Sequence, residues 1–371
     1  MNIILIFTYG VSLKDWSETG ILKRELEIYN KMTDLYDVKF TFITYGNKED
    51  IGFFDNKNIE IIPIYKYVKK YKNKYLRFLM SFIFPFRIRK ILIDKSLIKT
   101  NQLNGVWIGI ILKKLLKIPL FVRTGYNLYE FSIYEKKSKI KRFFFHQLTK
   151  IALKASDLYS VTSNQDKKFL EKNFKFDKEI KLIPNWVNKI SYKDFNDRHC
   201  NNLLTVGRIE DQKNYKLLID QLKKTDYELD LIGDGSRKNE LKNYSKELNS
   251  KVNFLGKKVH EDLIEFYKNY RIFISSSLYE GNSKVILEAM ASGCVVVAFD
   301  NKNNREIISD EKNGFLYTTE NELISKINKV ITDEKLYEFI SKNAYEQIKN
   351  NNLLKKIVLD EIEYYKFLIQ I

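Results

Sequence analysis

Short apolar runs rich in β-branched residues recur along the chain, at Asn2–Thr8, Val38–Thr44, Ile59–Pro63, Pro119–Arg123, Ala155–Ser163, Leu203–Val206, Glu228–Ile232, Val252–Gly256, Arg271–Ser275 and Cys294–Phe299. Runs of this kind predict strands buried on both faces of a parallel sheet. Between them lie segments in which apolar residues return every three or four positions. Ile21–Met32, with Leu22, Leu26, Ile28 and Tyr29, predicts a helix, as do Gly105–Leu116, His260–Lys268 and Lys284–Ser292. Tyr9–Gly20 reads as a polar loop between the first strand and its helix, and the chain from Leu323 onward reads as helices. Strand and helix in alternation predict a doubly wound α/β protein. With 371 residues, two domains with full cores fit. The polar, irregular stretch Asn188–Asn201 reads as the linker between them.

The stretch from Arg271 to Phe299 predicts strand, loop, helix and strand in turn. Asn282 or Ser283 is the natural N-cap of the helix that starts at Lys284, and Gly293 ends it. Glu280 and Glu288 lie eight residues apart. A continuous helix would turn roughly 800° over that spacing, about 80° off one face. Glu280 is therefore placed on the loop and Glu288 inside the helix. Free N–H groups of the helix start, at Asn282, Ser283 and Lys284, form an anion site between them. Carboxylate, phosphate nest and second carboxylate in a row suit a nucleotide sugar. The same residues also fit a solvated loop glutamate and a surface helix glutamate.

Seventy residues earlier, Gly207-Arg208 follows a strand and Lys213-Asn214 opens a helix. A fixed guanidinium and a mobile ammonium in such a loop clamp a diphosphate, unless both are ordinary surface charges. Gly233 and Gly235 follow the next strand, where a lone Gly-x-Gly shapes a turn. The run from Ser276 through Glu280 to Glu288 and Gly293 resembles the Glu-x7-Glu motif of glycosyltransferase family 4, retaining enzymes of the GT-B fold. Gly207-Arg208 with Lys213-Asn214 resembles that family's Gly-Arg…Lys-Asn signature. Ile183-Pro184-Asn185-Trp186-Val187 resembles its Pro-Asn-Gly-Val hinge segment, with Trp186 in place of glycine. Asn303–Ile308 and Asn313–Leu316 resemble a later segment.

The resemblance implies two Rossmann-like domains facing each other across a cleft. Residues 1–187 would form the acceptor side and 188–352 the donor side, with helix 353–371 packing back on the first domain through Ile357, Ile362, Tyr365 and Leu368. It implies a nucleotide-diphosphate sugar as donor and a hydroxyl of a glycan or lipid-linked acceptor. Arg208, Lys213 and Glu280 would be catalytic. Glu288, Asn282, Ser283, Lys284, Gly207, Gly233 and Gly235 would bind the donor. The family's loop after the first strand carries a Gly-Gly pair, where this chain has Thr19-Gly20, so Gly20 is the acceptor-side candidate there, with a plain helix start as the alternative. Arg123 and Tyr126 are the candidates where family members place a histidine or small polar group. No Asp-x-Asp occurs, so neither metal nor other cofactor is expected. A GT-B phosphorylase, an epimerase and a catalytically silent sugar-nucleotide or surface-binding protein are the competing readings.

Composition, 44% hydrophobic and 30% charged, is that of a soluble globular protein, and no 20-residue stretch is free of charge, so no transmembrane helix is expected. Met1–Tyr9 lacks a basic region and reads as a buried strand rather than a signal peptide. A cytoplasmic protein, peripheral at the inner face of the membrane, is expected. The net charge of +17 attracts anions. Residues 64–90 carry nine Lys and Arg and no acid, interleaved with aromatic residues. This segment reads equally as an anionic-membrane contact and as a helix with core aromatics and solvated lysines. No nucleic-acid-binding signature accompanies it, and no nucleic acid is expected as partner. His146, His199 and His260 stand apart from any acid cluster, and Cys200 and Cys294 show no metal spacing.

Overall fold

The computed structural model describes residues 1–190, 192 and 198–370. Of the expected linker, 191 and 193–197 lie outside the described residues. The chain forms two compact units, Met1–Ile183 with Ile357–Ile371, and Pro184–Lys356.

The first unit contains β1 (Asn2–Ile6), α1 (Leu13–Glu18), α2 (Leu22–Leu35), β2 (Lys39–Thr44), β3 (Ile59–Pro63), α3 (Lys74–Ile88), β4 (Leu97–Thr100), α4 (Val106–Leu116), β5 (Leu120–Arg123), α5 (Leu128–Tyr134), α6 (Lys139–Ala155), β6 (Leu158–Val161), α7 (Asn164–Asn173) and β7 (Ile180–Leu182). Its parallel sheet runs β3-β2-β1-β4-β5-β6-β7. The order reverses between β1 and β4. Ile3 to Ile6 and all of β5 are buried, as a strand covered on both faces requires.

Helices α5, α6 and α7 and strand β7 were not read from the sequence, and three further elements depart from its reading in an instructive way. The loop expected over Tyr9–Gly20 contains α1, whose Ser12 and Asp15 form a capping box. The buried Asp50 carboxylate accepts from the N–H groups of Leu13 and Lys14, 3.2 Å each, and from the Thr44 hydroxyl. Six residues are too few for periodicity to announce such a helix. Strand β4 has a lysine, Lys99, at its centre, which hid it from an apolar-run reading. In the fold Lys99 is buried and ion-paired to Glu361. The third departure is β8 (His199–Val206), which begins inside the expected linker, with His199 opposite Tyr270.

Glu361 lies on α15 (Leu354–Gln370), whose residues from Ile357 onward belong to the first unit. Ile357, Ile362, Tyr365 and Leu368 are buried. The Tyr365 hydroxyl donates to Glu361 at 2.7 Å, and the Lys99 ammonium donates to Tyr365 Oη at 2.9 Å. Burial alone would raise the Glu361 carboxyl, but Lys99 and Arg123 overcome it and hold it below its ordinary value.

The second unit continues with α8 (Tyr215–Leu222), β9 (Glu228–Ile232), α9 (Lys238–Glu247), β10 (Val252–Gly256), α10 (His260–Asn269), β11 (Tyr270–Ser275), α11 (Lys284–Ala291), β12 (Val295–Phe299), α12 (Asn304–Ile307), β13 (Phe315–Tyr317), α13 (Glu320–Thr332) and α14 (Glu334–Asn351). Its parallel sheet runs β10-β9-β8-β11-β12-β13. Here the order reverses between β8 and β11, which lie side by side although some seventy residues separate them in sequence. Apolar residues of both sheet faces fill two core layers.

Candidate active site

Loops leaving the C-terminal ends of neighbouring strands at a reversal of strand order frame the ligand crevice of open α/β sheets. In the second unit these are the loops after β8 and β11, and they are stitched together. The Gln212 side-chain amide donates to the Tyr279 carbonyl at 2.7 Å, and the Leu278 N–H donates to the Gln212 carbonyl at 3.0 Å. The Ser276 hydroxyl donates to the Lys213 carbonyl at 2.6 Å. These bonds bring the Lys213 ammonium onto the Glu280 carboxylate, with both side chains largely buried. Arg208 lies on the same β8 loop, exposed, with no carboxylate at ion-pair distance among the described residues. Its neighbour Glu210 accepts from the Ser236 hydroxyl and N–H, which hold its carboxyl below the ordinary value.

The glycines let these loops approach. A Cβ on Gly233, at φ +155°, would stand 1.9 Å from the Gly207 carbonyl oxygen, and one on Gly235 would stand 2.4 Å from that of Ile209. A Cβ on Gly207 would press on the Tyr215 hydroxyl at 2.7 Å and on Lys213 Cε at 3.1 Å. Gly233 and Gly235 thus hold the β9 loop against the β8 loop.

Helix α11 starts at the end of the Glu280 loop. Ser283 is its N-cap but makes no side-chain capping bond, unlike Ser12, Asn73 and Ser163 at other helix starts. This leaves a positive helix end for an anion. Asn282 is fixed by Asn185, whose N–H donates to Asn282 Oδ1 at 2.9 Å. The Lys284 ammonium stands 4.1 Å from the centre of the Trp186 ring. Trp186, where the resembling family has glycine, therefore shields the cation at the helix start. Glu288 is buried one turn further in. It accepts from the Tyr267 hydroxyl at 3.2 Å, and His260 Nδ1 stands 3.7 Å from its other oxygen. Besides Glu261 and Asp262, which follow it in sequence, His260 thus has Glu288 as an acid neighbour across 28 residues of chain. Burial pushes the nearby Cys294 thiol up to about 12, so it is a packing residue.

The first-unit candidates do not gather in this way. Gly20 sits at φ +73° between α1 and α2. Arg123 is buried, its Nε 3.7 Å from Glu361. Tyr126 stacks on Phe131. A polar pocket of about 470 Å³ opens instead at the ends of β1 and β2. Lys14, Asp15, Glu18, Glu49, Tyr65, Lys70 and Arg77 are among the residues that line it. Lys70 lies over the Tyr65 ring, and Arg77 bonds to the same tyrosine. Sequence reading passed over this site because its residues come from five separate segments.

With two parallel-sheet units of seven and six strands, the chain has the GT-B fold of glycosyltransferases. Residues 37–189 match the family described as Glycosyltransferase Family 4, and residues 193–347 match Glycosyl transferases group 1. Over 329 residues the chain is 29% identical to an uncharacterized glycosyltransferase of Methanocaldococcus jannaschii, covering 86% of this chain and 88% of that protein. It is 28% identical over 286 residues to the UDP-Gal:alpha-D-GlcNAc-diphosphoundecaprenol alpha-1,3-galactosyltransferase of Escherichia coli, covering 71% and 73% of the two chains. The sucrose-phosphate synthase of Thermosynechococcus elongatus matches the fold with a TM-score of 0.84 at 18% identity, over the whole of both chains.

Proposed function

We propose that this protein is a retaining, metal-independent glycosyltransferase that moves a sugar from a nucleoside diphosphate sugar to a hydroxyl of a glycan or lipid-linked acceptor. The observation that carries this reading is the meeting of the Lys213 and Glu280 loops at the strand-order reversal, beside an exposed Arg208 and an uncapped helix start. The sugar C1–O bond to the diphosphate breaks, and negative charge develops on the leaving group. Arg208, Lys213 and the N–H groups of Ser283 and Lys284 are the groups that stabilise it, each side chain contributing roughly 10²-fold or more in rate. Glu280 accepts from a sugar hydroxyl, and Glu288, steadied by Tyr267, accepts from the ribose. Attack from the face the diphosphate leaves retains configuration. The acceptor oxygen bonds C1, and its proton passes to a phosphate oxygen. Positive side chains take the place of a metal clamp.

The Escherichia coli relative is named for a UDP-galactosyl donor and a diphosphoundecaprenol acceptor. Carried to this chain as chemical classes, these suit the pocket at the ends of β1 and β2, whose carboxylates can bind sugar hydroxyls and whose Lys70 and Arg77 can bind phosphate. A peripheral position at the inner membrane face goes with such an acceptor. Among the described residues no helix is long and apolar enough to cross a membrane.

The test is transfer from nucleotide sugars to polyprenyl-diphosphate glycans in the presence of EDTA, with the product anomer read by NMR. We expect a retained anomer, insensitivity to EDTA, and a loss of roughly 10²-fold or more in Arg208→Ala and Glu280→Ala. Inversion, metal dependence, turnover that needs free phosphate, or normal transfer by these variants would contradict the reading.

A further inference from the structure

Helix α3 is apolar on two opposite faces. Ser81, Phe84, Pro85 and Ile88 turn inward and are buried. Leu76, Leu79, Ile83 and Phe86 are exposed. Their spacing confines them to an arc of roughly 80° on the other side of the helix. The core does not need this outer stripe.

Helix α6 repeats the arrangement. Leu148, Thr149, Ala152 and Leu153 are buried, while Ile140, Phe143, Phe144 and Ile151 are exposed, Ile140 at 82% and Phe143 at 66%. Half-buried rings at the edge of the core link the two outer faces. Phe82 lies three residues from Leu79 and four from Phe86, hence in the same row. It meets Phe78 with ring centres 5.0 Å apart, and Phe78 meets Phe144 at 5.9 Å. Large contiguous apolar patches are uncommon on a free protein surface.

The charge around this patch identifies what covers it. Residues 64–90 hold nine Lys and Arg and no acid, and residues 136–154 hold seven and no acid. Among the described residues only one of these cations, Lys137, has a carboxylate at ion-pair distance, Glu135. A second copy laid face to face would set like charges against each other. Single-stranded nucleic acid stacks on aromatic rings and has no use for Leu76, Leu79, Ile83, Ile140 and Ile151. An apolar ridge flanked by cations that, Lys137 apart, have no carboxylate partner among the described residues matches an anionic lipid surface.

We propose that α3 and α6 together form one docking face for an anionic bilayer, with the aliphatic and aromatic residues entering the acyl boundary and the lysines meeting the headgroups. The acceptor reading above supplies its purpose, and its test is separate. The pocket lined by Lys70 and Arg77 opens beside α3, so docking would present it at headgroup level.

The experiment is co-sedimentation of the full chain with vesicles of phosphatidylcholine alone and of equimolar phosphatidylcholine and phosphatidylglycerol. The wild type is expected to partition into the anionic vesicles only, and to be released by high salt. Leu79→Glu/Ile83→Glu on α3 and, separately, Phe143→Glu on α6 should each lower partitioning by about tenfold or more. Lys139→Gln/Lys141→Gln should weaken it less and flatten its salt dependence. These positions are exposed, and circular dichroism with donor-induced thermal stabilisation on the same samples reports whether each variant is folded. Equal binding to neutral vesicles, an unaffected Phe143→Glu, or wild-type self-association that Phe143→Glu abolishes without changing partitioning would each overturn the proposal. Glycosyl transfer to a soluble acceptor without vesicle binding would overturn it while leaving the catalytic reading in place.

Discussion

At the scale of single residues, the Lys213–Glu280 pair is the hinge of the site. Both side chains are largely buried and each is the other's ion partner. Removing one leaves the other as an uncompensated charge. Lys213→Ala and Glu280→Ala should therefore be non-additive. We expect the double variant to be about as impaired in transfer as the worse single one, with a coupling of about 1–3 kcal/mol in a double-mutant cycle on kcat/KM. Additive losses would show that the two act independently. Arg208, Lys213, Glu280 and Glu288 were singled out in the sequence by their resemblance to family motifs, since on spacing alone ordinary surface charges fitted as well. What holds them was not legible. Gln212 reaches Tyr279, and Ser276 reaches Lys213, only because β8 and β11 are adjacent. Glu288 finds Tyr267 and His260 only because α10 packs beside α11.

At the scale of elements, the last helix shows how an ion pair can fix a contact that apolar packing alone leaves free to slide. Lys99 of β4 meets Glu361 and Tyr365 of α15 in a buried cluster. Glu361→Gln strands the Lys99 charge and should cost about 3–5 kcal/mol near neutral pH, while Lys99→Met/Glu361→Leu should cost much less. Chemical denaturation measures both, and equal losses would refute the argument. The pH dependence has a definite sign. Because the folded-state carboxyl lies below its unfolded value, Glu361 contributes stability above the unfolded value and loses it as pH falls through the folded one. The gap between wild type and Glu361→Gln should therefore narrow in acid. Sequence periodicity recovered most strands and long helices. It passed over β4, where a lysine interrupts the apolar run, α1, which is six residues long and is held by the distant Asp50, and the long α6, whose exposed Ile140, Phe143 and Phe144 blur the helical period.

At the scale of the whole molecule, the two units share one architecture. Each has a parallel sheet whose order reverses once, and each carries its polar residues at the strand ends near that reversal. Alternation of strand and helix made this fold class readable from the sequence. The +17 charge is unevenly distributed, with two acid-free basic segments in the first unit and, in the second, a Lys213–Glu280 cluster with Arg208 on the same loop as Lys213. The central claim is that this second-unit cluster holds a nucleoside diphosphate sugar. Its most direct test is thermal denaturation of the wild type and Arg208→Ala with UDP-, GDP-, ADP-, TDP- and CMP-sugars. A ligand at about 100 times its Kd adds roughly 2.7 kcal/mol, a shift of several degrees. The account predicts that one nucleoside diphosphate sugar raises the Tm of the wild type and fails to raise that of Arg208→Ala. No shift with any of them, or the same shift in both proteins, would contradict it.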